Sequence, residues 1–159
     1  MKKARNFNVL FCGIGGQGVL KAAEVLGLAA VFAGYHVKKT EVHGMAQRGG
    51  AVESHLRFGK KVYSPLIPKG QVDFLVPFYK EEGLRLKEFL KPKGLDFVAE
   101  LEKAQRCLGD RRYINTFLLG QLSKCLPIKQ GQWLQALEAV FLHKDLAENK
   151  TIFLKAREE

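Results

Sequence analysis

Two glycine-rich segments, one helix's length apart, hold the residue types best suited to chemistry: Gly13-Ile-Gly-Gly-Gln-Gly18 and Thr40-Glu-Val-His-Gly-Met-Ala-Gln-Arg-Gly-Gly50. The first follows an apolar run, Phe7 to Cys12, and opens an apolar stretch, Val19 to Ala33. That order is strand, glycine turn, helix. Glycines let a ligand approach the backbone, and a helix N-terminus aims free N–H groups and a positive dipole end at it, so the expected chemistry is anion or cofactor-phosphate binding. Gly13-x-Gly15-x-x-Gly18 also matches the dinucleotide fingerprint. The P-loop is excluded, because Val19-Leu20 follow where Lys and Ser or Thr are required. The fingerprint further asks for an acidic residue ending the second strand. Lys38-Lys39 stand there, with Glu41 only afterwards, which disfavours NAD and leaves NADP open. The plain alternative is a tight turn that packs helix on strand.

The second segment gathers a carboxylate, an imidazole, an amide and a guanidinium among glycines. Arg48 can grip a carboxylate or phosphate through two parallel bonds, and Gln47 can orient it. Gly44, Gly49 and Gly50 permit close approach. Glu41 pairing with Arg48, or the loop stitching a subunit interface, explains the same residues. His43 is the histidine of this loop, whereas His36, His55 and His143 read as ordinary strand or surface residues. Cys12, Cys107 and Cys125 form no Cys-x-x-Cys pair, so neither a zinc site nor an iron–sulfur cluster is expected on this chain.

These residues need a scaffold, and the hydrophobic pattern supplies one. Strands are expected at Phe7–Cys12, His36–Val42, Ala51–Phe58 and Val72–Val76. Gly59-Lys60-Lys61 should turn the third into Val62–Ser64 as a short antiparallel hairpin. Helices are expected at 17–33, with Gly34 as C-cap, then at 79–90, 98–108, 112–126, 130–142 and 144–155. Ile114, Phe117, Leu118 and Leu122 should form one stripe of the fourth. A strand-rich front half and a helical back half imply a three-layer α/β/α fold. Its Rossmann-like mixed sheet should be mainly parallel with an antiparallel hairpin, in a single domain over residues 1–159.

The chain has 159 residues, 47% of them hydrophobic, long enough for a core without staples. Its longest apolar stretch, Val25 to Ala33, falls short of the ~20 residues that span a bilayer. The start lacks a signal-peptide pattern, and three thiols suit a reducing cytoplasm, the expected location. The net charge of +10 is spread over many positions without one long basic block. A solvated basic surface, an acidic partner or polyphosphate ligand, and nucleic acid follow in that order.

Glu41-Val-His-Gly-Met-Ala-Gln-Arg-Gly-Gly50, taken with Gly15-Gly-Gln-Gly18, resembles the gamma domain of the 2-oxoacid:acceptor oxidoreductase family, and within it the indolepyruvate:ferredoxin oxidoreductase β subunits. The likeness continues through Tyr63-Ser-Pro-Leu-Ile-Pro68, Val72-Asp-Phe-Leu75, Tyr113-Ile-Asn-Thr-Phe-Leu-Leu-Gly120 and Leu126-Pro-Ile128. It departs between Leu90 and Ala99, where the family's further strand and loop are expected to be missing. The resemblance implies a subunit rather than a free-standing enzyme. Such enzymes oxidatively decarboxylate 2-oxoacids, here arylpyruvates, to acyl-CoA and pass electrons to ferredoxin. Thiamine diphosphate and iron–sulfur clusters would lie on a large (α) subunit, with CoA as co-substrate and ferredoxin reached through that subunit. Gly13, Gly15, Gly16, Gln17 and Gly18 become the expected cofactor-binding turn. Glu41, His43, Gly44, Met45, Gln47, Arg48, Gly49 and Gly50 become a substrate or interface loop. No catalytic residue is assigned on this chain. An independent NADP-binding reductase and a basic nucleic-acid-binding module are the alternatives.

Overall fold

The computed structural model describes residues 5–44 and 50–159. Strands β1 (Phe7–Ile14), β2 (His36–His43), β3 (Ala51–Gly59), β4 (Val72–Pro77) and β5 (Leu90–Asp96) form one sheet in the order β2-β3-β1-β4-β5. β1 pairs parallel with β4, and β4 with β5, whereas β3 runs antiparallel to both β1 and β2. The sheet is therefore mixed, four strands running one way with β3 reversed, and its pairings divide evenly between parallel and antiparallel instead of being mainly parallel. Helices α1 (Val19–Phe32), α2 (Lys80–Arg85), α3 (Val98–Cys107), α4 (Ile114–Ser123), α5 (Gln130–Val140) and α6 (His143–Glu158) complete it.

The two sheet faces are covered unequally. Alternation along β1 sends Val9 and Phe11 to one face and Leu10 and Cys12 to the other. The first pair joins a large core with Leu56, Phe58, Phe74, Val76 and the buried sides of α1, α3, α4, α5 and α6. The second joins a small cluster with Ile67, Val72, Leu75 and Leu86. The thin layer over that face is the segment between β3 and β4 together with the end of α2. α4 is buried on every side rather than along one stripe. Its Gly120 explains how: a Cβ there would lie 2.6 Å from the Phe153 carbonyl oxygen on α6, so only glycine allows the two helices this approach.

Three further expectations change. The hairpin joins β2 to β3 across the second glycine-rich segment, and Val62–Ser64 forms no strand. The backbone there is bound by side chains instead, as when Val62 N–H donates to His36 Nδ1 at 3.0 Å. The helix expected over 79–90 stops at Arg85, and Lys87–Phe89 make one 3₁₀ turn. Beyond it the expected gap is filled by β5. Pro92 and Gly94 argue against a strand in sequence, but β5 lies at the sheet edge, where a missing N–H goes unused. Gly94 sits where a Cβ would meet Val72 O at 2.8 Å, beside a register shift in the β4–β5 pairing.

Candidate functional site

β1 and β4 are parallel neighbours whose chains leave in different directions, β1 through α1 to β2 and β4 through α2 to β5. The crevice beyond their C-terminal ends is where open α/β sheets bind ligands. A cleft of about 450 Å³ opens there, lined by Gly16, Gln17 and Gly18 after β1 and by Phe78 after β4. Its far wall comes from the back half of the chain: Arg111, Arg112, Tyr113, Asn115, Asp145 and Asn149 among others.

The glycine turn is built for this wall. Gly16 has φ +91° and Gly18, the residue capping α1, has φ +81°, both in the left-handed region. A Cβ at Gly18 would stand 2.5 Å from Asn115 Nδ2, whereas one at Gly16, which lines the cleft, meets nothing within 4 Å among the described residues. Asn115 is nearly buried, donates to Gly18 O at 3.5 Å and accepts from Thr116 N–H at 2.9 Å. The first N–H groups of α1 lack helical acceptors by geometry and add their partial positive charge. Lys21, one turn into α1, and Arg111 line the cleft with no carboxylate in ion-pair range among the described residues. Arg112 is gripped by Asp110 at 2.7 Å, which raises its pKa and lowers that of the carboxylate. With Arg112 matched by Asp110, Lys21 and Arg111 stand against Asp145, and the lining favours an anion.

Of the expected turn residues, Gly16, Gln17 and Gly18 line the cleft, but Gly13 and Gly15 serve the scaffold. A Cβ at Gly13 would meet Gln17 Oε1 at 2.7 Å, and that same oxygen accepts from Ile14 N–H at 2.9 Å. Gly15 N–H is spent on Gly50 O at 3.0 Å. This bond joins the two glycine motifs beyond the C-terminal end of β1. Gly44 N–H donates to Ala51 O at 2.7 Å, closing the root of the loop. Glu41 and His43 lie exposed at the end of β2, and Glu41 pairs with Lys39 at 3.4 Å. Met45, Gln47, Arg48 and Gly49 lie outside the described residues. Lys38 and Lys39 do not approach the turn. They register through Arg57 and Leu56 with Asn8 and Val9, which puts Lys38 roughly 16 Å back along the strands from Gly13.

Sequence reasoning missed the far wall. Its signal is the pair Arg111-Arg112 just ahead of a helix that begins with the polar Asn115-Thr116 in an apolar run. It also misread His55, which is 1% exposed on the thinly covered face. Its Nδ1 accepts from Ile67 N–H at 3.2 Å, so the proton sits on Nε2 and is donated to Glu53 Oε2 at 3.1 Å. That bond, followed by Arg85 Nη2 at 2.8 Å, holds the Glu53 carboxyl below the usual carboxylate range. Arg85 also binds Glu82, at 2.7 Å. Among the described residues, no three His, Cys, Asp or Glu side chains converge to hold a metal ion. Among them, too, no helix is long and apolar enough to cross a membrane.

A family model described as pyruvate ferredoxin/flavodoxin oxidoreductase matches residues 8–103. Over 94 residues the chain is 46% identical to the indolepyruvate oxidoreductase subunit IorB of Thermococcus kodakarensis, and 46% identical to that of Pyrococcus horikoshii. Each alignment covers 59% of this chain and 46% of the relative, so the match spans under half the length of these curated relatives. Among solved structures, the gamma subunit of a keto/oxoacid ferredoxin oxidoreductase from Geobacter sulfurreducens superposes with a TM-score of 0.77 at 20% identity, covering 96% of both chains. The 2-oxoglutarate:ferredoxin oxidoreductase from Magnetococcus marinus, with 2-oxoglutarate, coenzyme A and succinyl-CoA bound, gives 0.80 at 18% identity over 98% of this chain and 31% of that one. At these identities the structural likeness speaks for the fold.

Proposed function

We propose a function from one premise: the chain belongs to the pyruvate ferredoxin/flavodoxin oxidoreductase family, whose model covers well over half of its residues. It is a single gamma-type domain acting as a subunit of a thiamine-diphosphate-dependent 2-oxoacid:ferredoxin oxidoreductase in the cytoplasm. The names of its relatives point the substrate toward indolepyruvate or another arylpyruvate. The observation that carries the site assignment is the cleft where Gly16, Gly18, Lys21, Arg111 and Arg112 surround a volume of about 450 Å³. Oriented N–H groups and cations suit the phosphates of CoA, while Phe78, Tyr113 and Phe141 offer apolar surface to its adenine or pantetheine arm. Gly50, at the end of the segment Glu41 to Gly50, is tied to the turn through Gly15 N–H, and this segment is assigned to contact with substrate or the large subunit.

The redox chemistry belongs to the partner. The thiols here do not fit an iron–sulfur cluster: Cys12 lies on β1, Cys107 ends α3 and Cys125 follows α4. CoA is favoured over NADP because Lys38 and Lys39 are remote from the turn.

The test is reconstitution. The chain alone should show no 2-oxoacid oxidation. Mixed with the large subunit, an arylpyruvate, CoA and ferredoxin, it should support turnover. Calorimetric titration of the complex should give tighter binding for CoA than for dephospho-CoA and none for NADP. Turnover by the chain alone, or NADP binding that outcompetes CoA, would overturn the reading.

A further inference from the structure

The segment between β3 and β4, residues 60–71, has no regular secondary structure, yet its backbone is fastened at five points by side chains of the sheet and its margin. Asn6 Nδ2 donates to Lys61 O at 3.2 Å, and Val62 N–H donates to His36 Nδ1 at 3.0 Å. Arg57 Nη1 donates to Ser64 O at 3.0 Å, Ile67 N–H to His55 Nδ1 at 3.2 Å, and Asn8 Nδ2 to Gln71 O at 2.8 Å. Pro65 and Pro68 restrict the chain between these ties. Val62 and Ile67, each 1% exposed, plug it into the protein. Their neighbours point the other way: Tyr63 is 78% exposed and Leu66 54%.

Single exposed apolar side chains are ordinary. Here two large ones stand on one short segment whose backbone bonds all serve to hold it in place, so little ordering remains to be done when something binds them. The segment's own charges have one sign. No Asp or Glu occurs from Ser54 to Val72, while Lys60, Lys61 and Lys69 flank the anchors. Lys61 Nζ lies 5.2 Å from the Tyr63 ring centroid, and Lys69 is met by Glu88 at 3.1 Å. A second copy of this chain would bring the same lysines and a net charge of +10 against it, which disfavours self-association.

We propose that residues 60–71 are a preformed docking platform for an acidic protein surface with an apolar recess, the recess taking Tyr63 and Leu66 while its rim meets Lys60 and Lys61. Resting on the function proposed above, that surface belongs to the large subunit. The platform lies on the sheet face opposite the main helical core, whereas the cleft is walled by α1, α4 and α6 from that core. Docking and co-substrate binding are therefore separable.

The experiment measures binding of the full chain to the immobilised large subunit by interferometry across a salt series. Tyr63→Ala and Leu66→Ala should each weaken binding about 10-fold, and together about 100-fold, the range of buried interface anchors. Lys60→Glu with Lys61→Glu should slow association and flatten its salt dependence. CoA affinity and melting temperature should not change in any of these variants. Wild-type affinity in the Tyr63→Ala/Leu66→Ala chain, with the wild-type complex formed, overturns the platform and leaves the subunit reading standing. Absence of any wild-type complex overturns both. Vesicles of phosphatidylglycerol and phosphatidylcholine, and a DNA duplex, are run in parallel. Tyr63-dependent binding to either of them, with none to the large subunit, overturns a protein as the occupant.

Discussion

Gly16 and Gly18 share a left-handed backbone but differ in what stands beyond the missing side chain, so alanine at each separates two physical effects. At Gly16, φ +91° with nothing within 4 Å among the described residues leaves the backbone cost, about 1–2 kcal/mol. Part of this is offset because alanine narrows the unfolded ensemble by about 0.4–1 kcal/mol. Gly16→Ala should therefore cost about 1 kcal/mol, a fall of roughly 2–4 °C in melting temperature for a chain of this size. Gly18→Ala carries the same backbone cost at φ +81° and also places a methyl 2.5 Å from Asn115 Nδ2. Asn115 is 4% exposed. Turning it away strands its amide and the Thr116 N–H it serves, while Gly18 O keeps the Ala22 N–H, for a further ~1–3 kcal/mol. The expected total is about 2–4 kcal/mol. Urea unfolding followed by far-UV circular dichroism gives both values. The double variant Gly18→Ala/Asn115→Ala should be no less stable than Gly18→Ala alone, because the amide is already displaced. Equal losses at Gly16 and Gly18, or fully additive losses in the double variant, would refute the claim that Asn115 packing fixes the turn.

Arg111→Ala should leave the melting temperature within about 0.5 kcal/mol of wild type, as for surface sites generally. In the reconstituted complex it should raise the CoA dissociation constant about 10-fold or more, the worth of one charged hydrogen bond, as read by calorimetry. Glu53, whose folded pKa is depressed, should contribute stability that is present above the ordinary carboxylate range and lost as pH falls through the depressed value. Glu53→Gln should remove about 1 kcal/mol at neutral pH, the half-exposed Arg85 keeping the figure small, and should flatten the acid limb of a stability–pH curve. A limb unchanged in that variant would show that Glu53 titrates no differently when folded. Cys12 is buried, and burial followed by Glu82 and Glu53 pushes its thiol well above the ordinary range. Iodoacetamide at neutral pH should alkylate the exposed Cys107 and Cys125 and reach Cys12 only on unfolding, as peptide mass mapping will show.

What the sequence settled by itself is local. The run Phe7 to Ala33 names a buried strand, a glycine turn and a helix, because each is specified by period, composition and backbone freedom within a few residues. Most of the element order, apart from β5 and the strand expected at Val62–Ser64, and the family resemblance were legible for the same reason. Tertiary structure decided everything that rests on which strand lies beside which. β3 inserts between β1 and β2, which carries Lys38 and Lys39 away from the turn and replaces the hairpin expected at Val62–Ser64. The edge position of β5 makes a strand of a segment whose proline and glycine deny it in isolation. The packing of α4 against α6 and α1 brings Arg111 and Asn115 to a turn nearly a hundred residues earlier, and Asn149 to the same turn from farther still along the chain. His55 reads as an exposed strand residue until the chain between β3 and β4 folds over it and presents Ile67 N–H to its ring. Hydrophobic period and turn chemistry act over a handful of residues. Strand neighbours, helix crossings and the burial of a polar group depend on contacts between distant parts of the chain, and these are fixed only when the whole core closes.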